Sequence, residues 1–141
     1  MRILHVEDNP HDAELTLKAL NRKGQAGKVT WFQDGIEALD RLLGNGLCAR
    51  PFASDCPKVI FLDLKLPGLG GLEVLRRLKS DERTHLIPVV ILTSSQEESD
   101  IQQSYELGAN SFIVKPVDYD KFSRAVGEMG EYWLSMNKGP G

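Results

Sequence analysis

Short apolar runs alternate along the chain with longer segments of helical period. Ile3-Leu4-His5-Val6, Val29-Thr30-Trp31-Phe32, Val59-Ile60-Phe61-Leu62, Pro88-Val89-Val90-Ile91-Leu92 and Ser111-Phe112-Ile113-Val114 have the length and the β-branched or aromatic content of strands. Between and after them, apolar residues recur at spacings of three and four. Ala13, Leu17 and Leu20 mark a helix from His11 to Lys23, and Ile36, Leu39 and Leu43 mark one from Gly35 to Leu43. Leu72, Leu75 and Leu78 define a third, and Ile101 and Tyr105 a fourth ending at Leu107-Gly108. Phe122, Val126, Met129 and Trp133 define the last. Gly24 and Gly27 suit a helix exit, and the Gly-, Pro- and Ser-bearing stretch from Gly44 to Pro57 reads as a surface loop.

Strands that are apolar throughout are covered on both faces. Regular strand-then-helix alternation implies right-handed crossovers and a parallel sheet. The pattern therefore predicts a doubly wound α/β fold of five parallel strands and five helices. One domain accounts for residues 1–136, with a short tail at 137–141 and no internal repeat.

Composition narrows the function. A chain of 141 residues with 41% hydrophobic and 26% charged residues has the makings of a single packed core. Seventeen Lys and Arg against twenty Asp and Glu leave a net charge of −3, which argues against nucleic acid as the main partner. No signal sequence opens the chain and no apolar run approaches a membrane span, so the expectation is a cytoplasmic protein with no membrane partner. Cys48 and Cys56 show no metal-ligand spacing and read as reduced loop thiols.

Open parallel sheets bind ligands beyond the carboxyl ends of their strands. There the sequence places Glu7 and Asp8 after the first run, Asp63 after the third, Thr93 after the fourth and Lys115 after the fifth. Asp34 follows the second run at a helix-capping position, and Asn9 suits a cap as well. Capping explains neither the lysine nor three clustered acids, because close carboxylates repel unless a cation compensates them. Mg²⁺ suits such a set, since it takes few carboxylate ligands and leaves room for phosphate oxygens. A carboxylate beside that charge can attack phosphorus. Asp63, ending the most apolar strand, is the expected nucleophile, with Glu7 and Asp8 on the metal. Lys115 would neutralise phosphoryl charge, and Thr93 would hydrogen-bond a phosphoryl oxygen.

With these residues the chain resembles the receiver domain of two-component response regulators. The matching pieces are Val6-Glu7-Asp8-Asn9, Leu62-Asp63-Leu64-Lys65-Leu66-Pro67, Leu92-Thr93-Ser94-Ser95 and Val114-Lys115-Pro116. Glu7-Asp8-Asn9-Pro10-His11-Asp12, the long loop after the second helix and Val114-Lys115-Pro116-Val117-Asp118 are similar to stand-alone regulators serving bacterial and cyanobacterial phytochromes. The resemblance implies a flavodoxin-like sheet in strand order 2-1-3-4-5 and phosphoryl transfer to Asp63 from a phosphohistidine on a sensor histidine kinase. It also implies Mg²⁺ held by Glu7, Asp8, Asp63 and the backbone carbonyl of Lys65, and a cis Lys115-Pro116 bond. Thr93 and Phe112 become the switch pair. The output is a protein contact rather than an enzymatic activity, and the end of the last helix, with Tyr132 and Trp133, is a candidate homodimer surface.

The sequence departs from the family at Gly70, where an acid is common, and at Lys65 and Ser95, where many members carry an amide or acid that orients water. Slow self-dephosphorylation is expected from the second departure. Among the remaining residues, His5 reads as a satisfied core histidine and His11 as a surface group. Arg76, Arg77, Lys79, Lys121 and Arg124 read as solvated helix faces. Two other readings stand beside the receiver. An aspartyl-nucleophile phosphatase of the haloacid-dehalogenase type would want a second Asp where Lys65 stands. A phosphorylation-independent binding module would not need the full acid, hydroxyl and lysine set.

Overall fold

A computed structural model describes residues 2–44, 46–50, 53–115 and 118–139. Five strands form the sheet: β1 (Ile3–Val6), β2 (Val29–Phe32), β3 (Val59–Leu62), β4 (Val89–Thr93) and β5 (Ser111–Val114). All pair in parallel, in the order β2-β1-β3-β4-β5. The helices are α1 (Pro10–Asn21), α2 (Gly35–Leu39), α3 (Gly71–Ser80), α4 (Glu98–Glu106) and α5 (Tyr119–Glu131). Strand order and helix number match the flavodoxin-like expectation.

Side chains alternate across the sheet, so each inner strand feeds two cores. Leu4, Val6, Ile60, Leu62, Val89 and Ile91 pack with Leu39, Val74, Leu75 and Leu78 on one side. Ile3, Val59, Phe61, Val90 and Leu92 pack with Ala19, Leu20, Phe122 and Val126 on the other. β1, β3 and β4 are buried throughout, whereas the edge strands β2 and β5 are only partly covered. That difference follows from pairing on one side only.

Side-chain caps start three helices, two of them at Asn9 and Asp34 as the sequence suggests. Asn9 accepts from the backbone of His11 and Asp12 at 2.8 and 3.2 Å, and Pro10, with no donor to lose, opens α1. Asp34 caps α2 by accepting from Ile36 and Glu37, and Asp118 caps α5 by accepting from Asp120 and Lys121. Gly70, at the N-cap of α3, supplies no side-chain cap.

Several expectations need correction. Helix α1 ends at Asn21, not Lys23, and Leu17 is 42% exposed. Ile36 is 51% exposed, and α2 is short and continues as a π-helical turn, Asp40–Gly44. A similar turn, Tyr132–Met136, follows α5; it packs Trp133 against the α1 and α5 core and leaves Tyr132 exposed. Cys48 and Cys56 are not free thiols: they form a disulfide, buried in the core on the α2 and α3 side. Lys79 is not a solvated residue, since its ammonium donates to the carbonyls of His85 and Ile87 at 3.1 and 2.7 Å. No helix among the described residues is long and apolar enough to cross a membrane.

Candidate functional site

The paired ends of the strands bring the predicted residues together. Val6 lies opposite Leu62 in the ladder, so the next residues, Glu7 and Asp63, leave the sheet side by side. Backbone bonds fix both: Glu7 N–H donates to Phe32 O at 2.9 Å and Asp63 N–H to Val6 O at 3.0 Å. Glu7, Asp8 and Asp63 each offer a carboxylate oxygen within 4.8 Å of the others, and Glu7 and Asp63 are buried. Three hard oxygen donors at this spacing, two taken out of water, fit a divalent cation such as Mg²⁺.

Lys115 reaches the cluster from the end of β5. Its backbone N–H donates to Thr93 O at 2.7 Å, which ties the β5 exit to β4. Its ammonium lies 2.5 Å from Glu7 Oε1, 3.1 Å from Asp12 Oδ2 and 3.5 Å from Asp63 Oδ2. Burial pushes the Glu7 carboxyl up to about 8, with the Asp63 charge adding to the effect and the Lys115 hydrogen bond opposing it. Burial pulls Lys115 down, but its hydrogen bond to Glu7 and the nearby acids more than offset this and hold it above its ordinary value. The pocket carries more negative charge than its one lysine balances, so it favours a further cation.

Around this centre sit the hydroxyl and the loops. Thr93 ends β4 fully buried, and its Oγ1 accepts from Ser95 N–H at 3.3 Å. Lys65 N–H donates to Asp63 Oδ1 at 3.2 Å. Farther out, Asp100 in the first turn of α4 accepts from Ser95 Oγ at 2.6 Å and from Lys65 Nζ at 3.5 Å. Phe112 is half-buried and packs against the α2 and α3 core. On the other flank, Trp31 Nε1 donates to Glu7 O at 2.7 Å. The expected cis Lys115-Pro116 bond lies outside the described residues.

One neighbour of the site differs from its sequence reading, and two others were not foreseen. His5 is buried, but its Nε2 has no hydrogen-bond partner, so it is not a satisfied core histidine. Burial, together with Lys115, lowers it to about 3 and keeps it neutral. Asp34 holds the capping position read for it and also lines a surface depression with Phe32, Ile36, Glu37, Asp40 and Arg41. Asp12 and Asp100 were missed. Asp12 carries a signal in hindsight, because it stands in the first turn of the helix that directly follows Glu7 and Asp8. Nothing in the local sequence marks Asp100.

Comparison with known proteins agrees with this arrangement. Residues 3–127 match the family model described as the response regulator receiver domain. The probable methanogenesis regulatory protein FilR2 of Methanothrix harundinacea is 40% identical over 142 residues, covering 99% of this chain and 87% of that protein. The response regulator Rcp1 of Synechocystis is 33% identical over 132 residues, covering 94% of this chain and 88% of Rcp1. The Mn²⁺-bound structure of Rcp1 superposes with a TM-score of 0.80 at 30% identity, over 99% of this chain and 98% of that one. The phosphorylated cyanobacterial phytochrome response regulator RcpA superposes with a TM-score of 0.86 at 38% identity, over 99% and 98% of the two chains.

Proposed function

The chain belongs to the response regulator receiver domain family, and from that premise we propose that Asp63 accepts a phosphoryl group from a phosphohistidine of a sensor histidine kinase. An Asp63 carboxylate oxygen attacks phosphorus as the P–N bond breaks, and the bonding pair stays on the imidazole nitrogen. The observation that carries this reading is the convergence of Glu7, Asp8 and Asp63 within 4.8 Å beside the Lys115 ammonium.

Glu7, Asp8, Asp63 and the backbone carbonyl of Lys65 would hold Mg²⁺, which when bound supplies positive charge to the phosphoryl oxygens. Lys115 donates to a phosphoryl oxygen and offsets its charge, and the Thr93 hydroxyl donates to another. Thr93 shares its hydroxyl with Ser95 N–H, so a shift of Thr93 toward the phosphoryl group carries the start of the β4–α4 loop along with it. Phe112 on the adjacent strand completes the switch. The output is a protein contact at the surface of α4, β5 and α5, and the chain acts as a signalling module, not as a turnover enzyme.

The likeness to RcpA supports a phytochrome-type kinase as the donor. FilR2, named for methanogenesis, supports a second reading in which the kinase senses something other than light. Both readings place the protein in the cytoplasm with its kinase. Tyr132 and Met136, 45% and 69% exposed, offer apolar surface that a second copy could cover; sedimentation at monomer mass with and without phosphorylation would remove the dimer.

The test is phosphotransfer profiling against purified histidine kinases, a phytochrome-type one included. Label should move from a phosphorylated kinase to the wild-type chain and not to Asp63→Asn. Label retained in both proteins would show another acceptor.

A further inference from the structure

We infer that Asp12 is a positioning residue for Lys115, holding its ammonium over Asp63 during phosphoryl transfer. The inference rests on Asp63 being the phosphoacceptor and adds a residue that the acid cluster does not contain. An ammonium group has three N–H donors and no acceptor. Here three carboxylates face it: Glu7 at 2.5 Å, Asp12 at 3.1 Å and Asp63 at 3.5 Å. Glu7 and Asp63 are members of the metal-competent set, and Asp12 is not. Anything that engages the first two, cation or phosphoryl oxygen, competes with Lys115 for their lone pairs. The tie to Asp12 is uncontested.

The placement of Asp12 is built from both ends. The Asn9 side chain caps α1 and accepts from the Asp12 backbone N–H at 3.2 Å, which fixes the first turn. Lys115 is pinned through its own backbone to Thr93 O. A lysine stem has four flexible carbons and carries substantial rotamer freedom, so its charge is placed only as well as its partners place it. With the Asp12 tie intact, one ammonium hydrogen points to α1 and the other two face the pocket. The Asp12 side chain is 34% exposed, so truncating it opens no buried cavity.

Asp12→Ala and Asp12→Asn separate position from charge, since the amide oxygen still accepts a hydrogen bond while the negative charge is gone. With acetyl phosphate and saturating Mg²⁺, followed by intact-mass measurement, Asp12→Ala should phosphorylate at least ~10-fold more slowly than wild type, a cost typical of a misplaced group. Asp12→Asn should stay within about threefold of wild type. An Asp12→Ala rate equal to or above wild type overturns the inference, and so does an equal loss in both variants. A wild-type protein that takes up no phosphoryl group overturns the phosphoacceptor reading itself. Metal-free melting gives a readout independent of phosphorylation. Asp12→Ala should lower the midpoint when Lys115 is present and should not lower it in a Lys115→Ala background. Additive changes would show that the two side chains are not partners.

Discussion

Gly71 lies so close to Asp63 that a side chain there has no room: a Cβ would overlap the Asp63 carbonyl oxygen and lie 2.6 Å from Leu64 Cα. Its N–H also donates to Leu64 O at 3.0 Å, which seats the start of α3 against the loop that carries Asp63. Backbone cannot yield as a flexible side chain can. Gly71→Ala should therefore cost about 2–4 kcal/mol by urea unfolding, within the range of overpacked and strained sites. Gly70, one residue earlier, faces open space, and Gly70→Ala should change stability by less than about 1 kcal/mol. Equal effects at the two glycines would contradict the close approach.

A second pairing gives a pH dependence. Arg83 donates to Asp81 Oδ1 and Oδ2 at 2.9 and 2.8 Å, and its other nitrogen donates to Leu43 O at 3.1 Å. The Arg83 side chain holds the Asp81 carboxyl at about 2, below its ordinary 3.8. The folded carboxyl binds its proton less readily than the unfolded one. Its contribution is thus complete above pH 3.8 and is lost as pH falls from there through about 2. Acid titration of stability should show a shallower loss across this window in Arg83→Ala than in wild type. Both groups are partly exposed, so added salt should shrink the difference. Identical acid limbs for the two proteins would contradict the pairing.

The Cys48–Cys56 disulfide spans a separation of 8 residues in the loop before β3. Closing so short a loop restricts the unfolded chain by about 2.5 kcal/mol on the chain-entropy account. Purified oxidised protein should show no free thiols under denaturing conditions, and reduction should lower its urea midpoint. In a reducing cytoplasm the pair would stand open. Two free thiols in air-oxidised protein would contradict the bond.

Lys65 has no acceptor, and the Ser95 hydroxyl gives its proton to Asp100 while accepting from Glu97 N–H, so neither supplies the amide or carboxylate that would orient water. The phosphorylated form should decay slowly. Lys65→Asn, which supplies an amide, should shorten its lifetime roughly three- to tenfold. An unchanged lifetime would show that water positioning at Lys65 does not limit the decay.

The fold was legible because two periods carry it. The runs at Ile3, Val59 and Val89 are apolar without alternation, which only a strand covered on both faces requires, and their polar endings marked the site. The acids, the hydroxyl and the lysine could be placed from strand ends alone, since parallel register brings those ends together. Side chains that act across elements were not legible. Asp12 meets Lys115 over a separation of 103 residues, and Asp100 meets Lys65 over 35. Periodicity also misplaced Leu17 and Ile36, which share the spacing of their buried neighbours but sit at the margin of the face. Lys79 shows the same limit: its stem lies along the core edge while its ammonium reaches carbonyls that only the folded loop supplies. The cysteines looked unpaired because compartment, not geometry, guided the expectation.

Incubation of the metal-loaded chain with a small-molecule phosphodonor tests the central claim most directly. With acetyl phosphate and Mg²⁺, intact-mass measurement should show a single added phosphoryl group on the wild-type chain, none on Asp63→Asn, and none when the metal is chelated. A phosphoryl group that persists on Asp63→Asn, or one that forms equally well without the metal, would contradict the account.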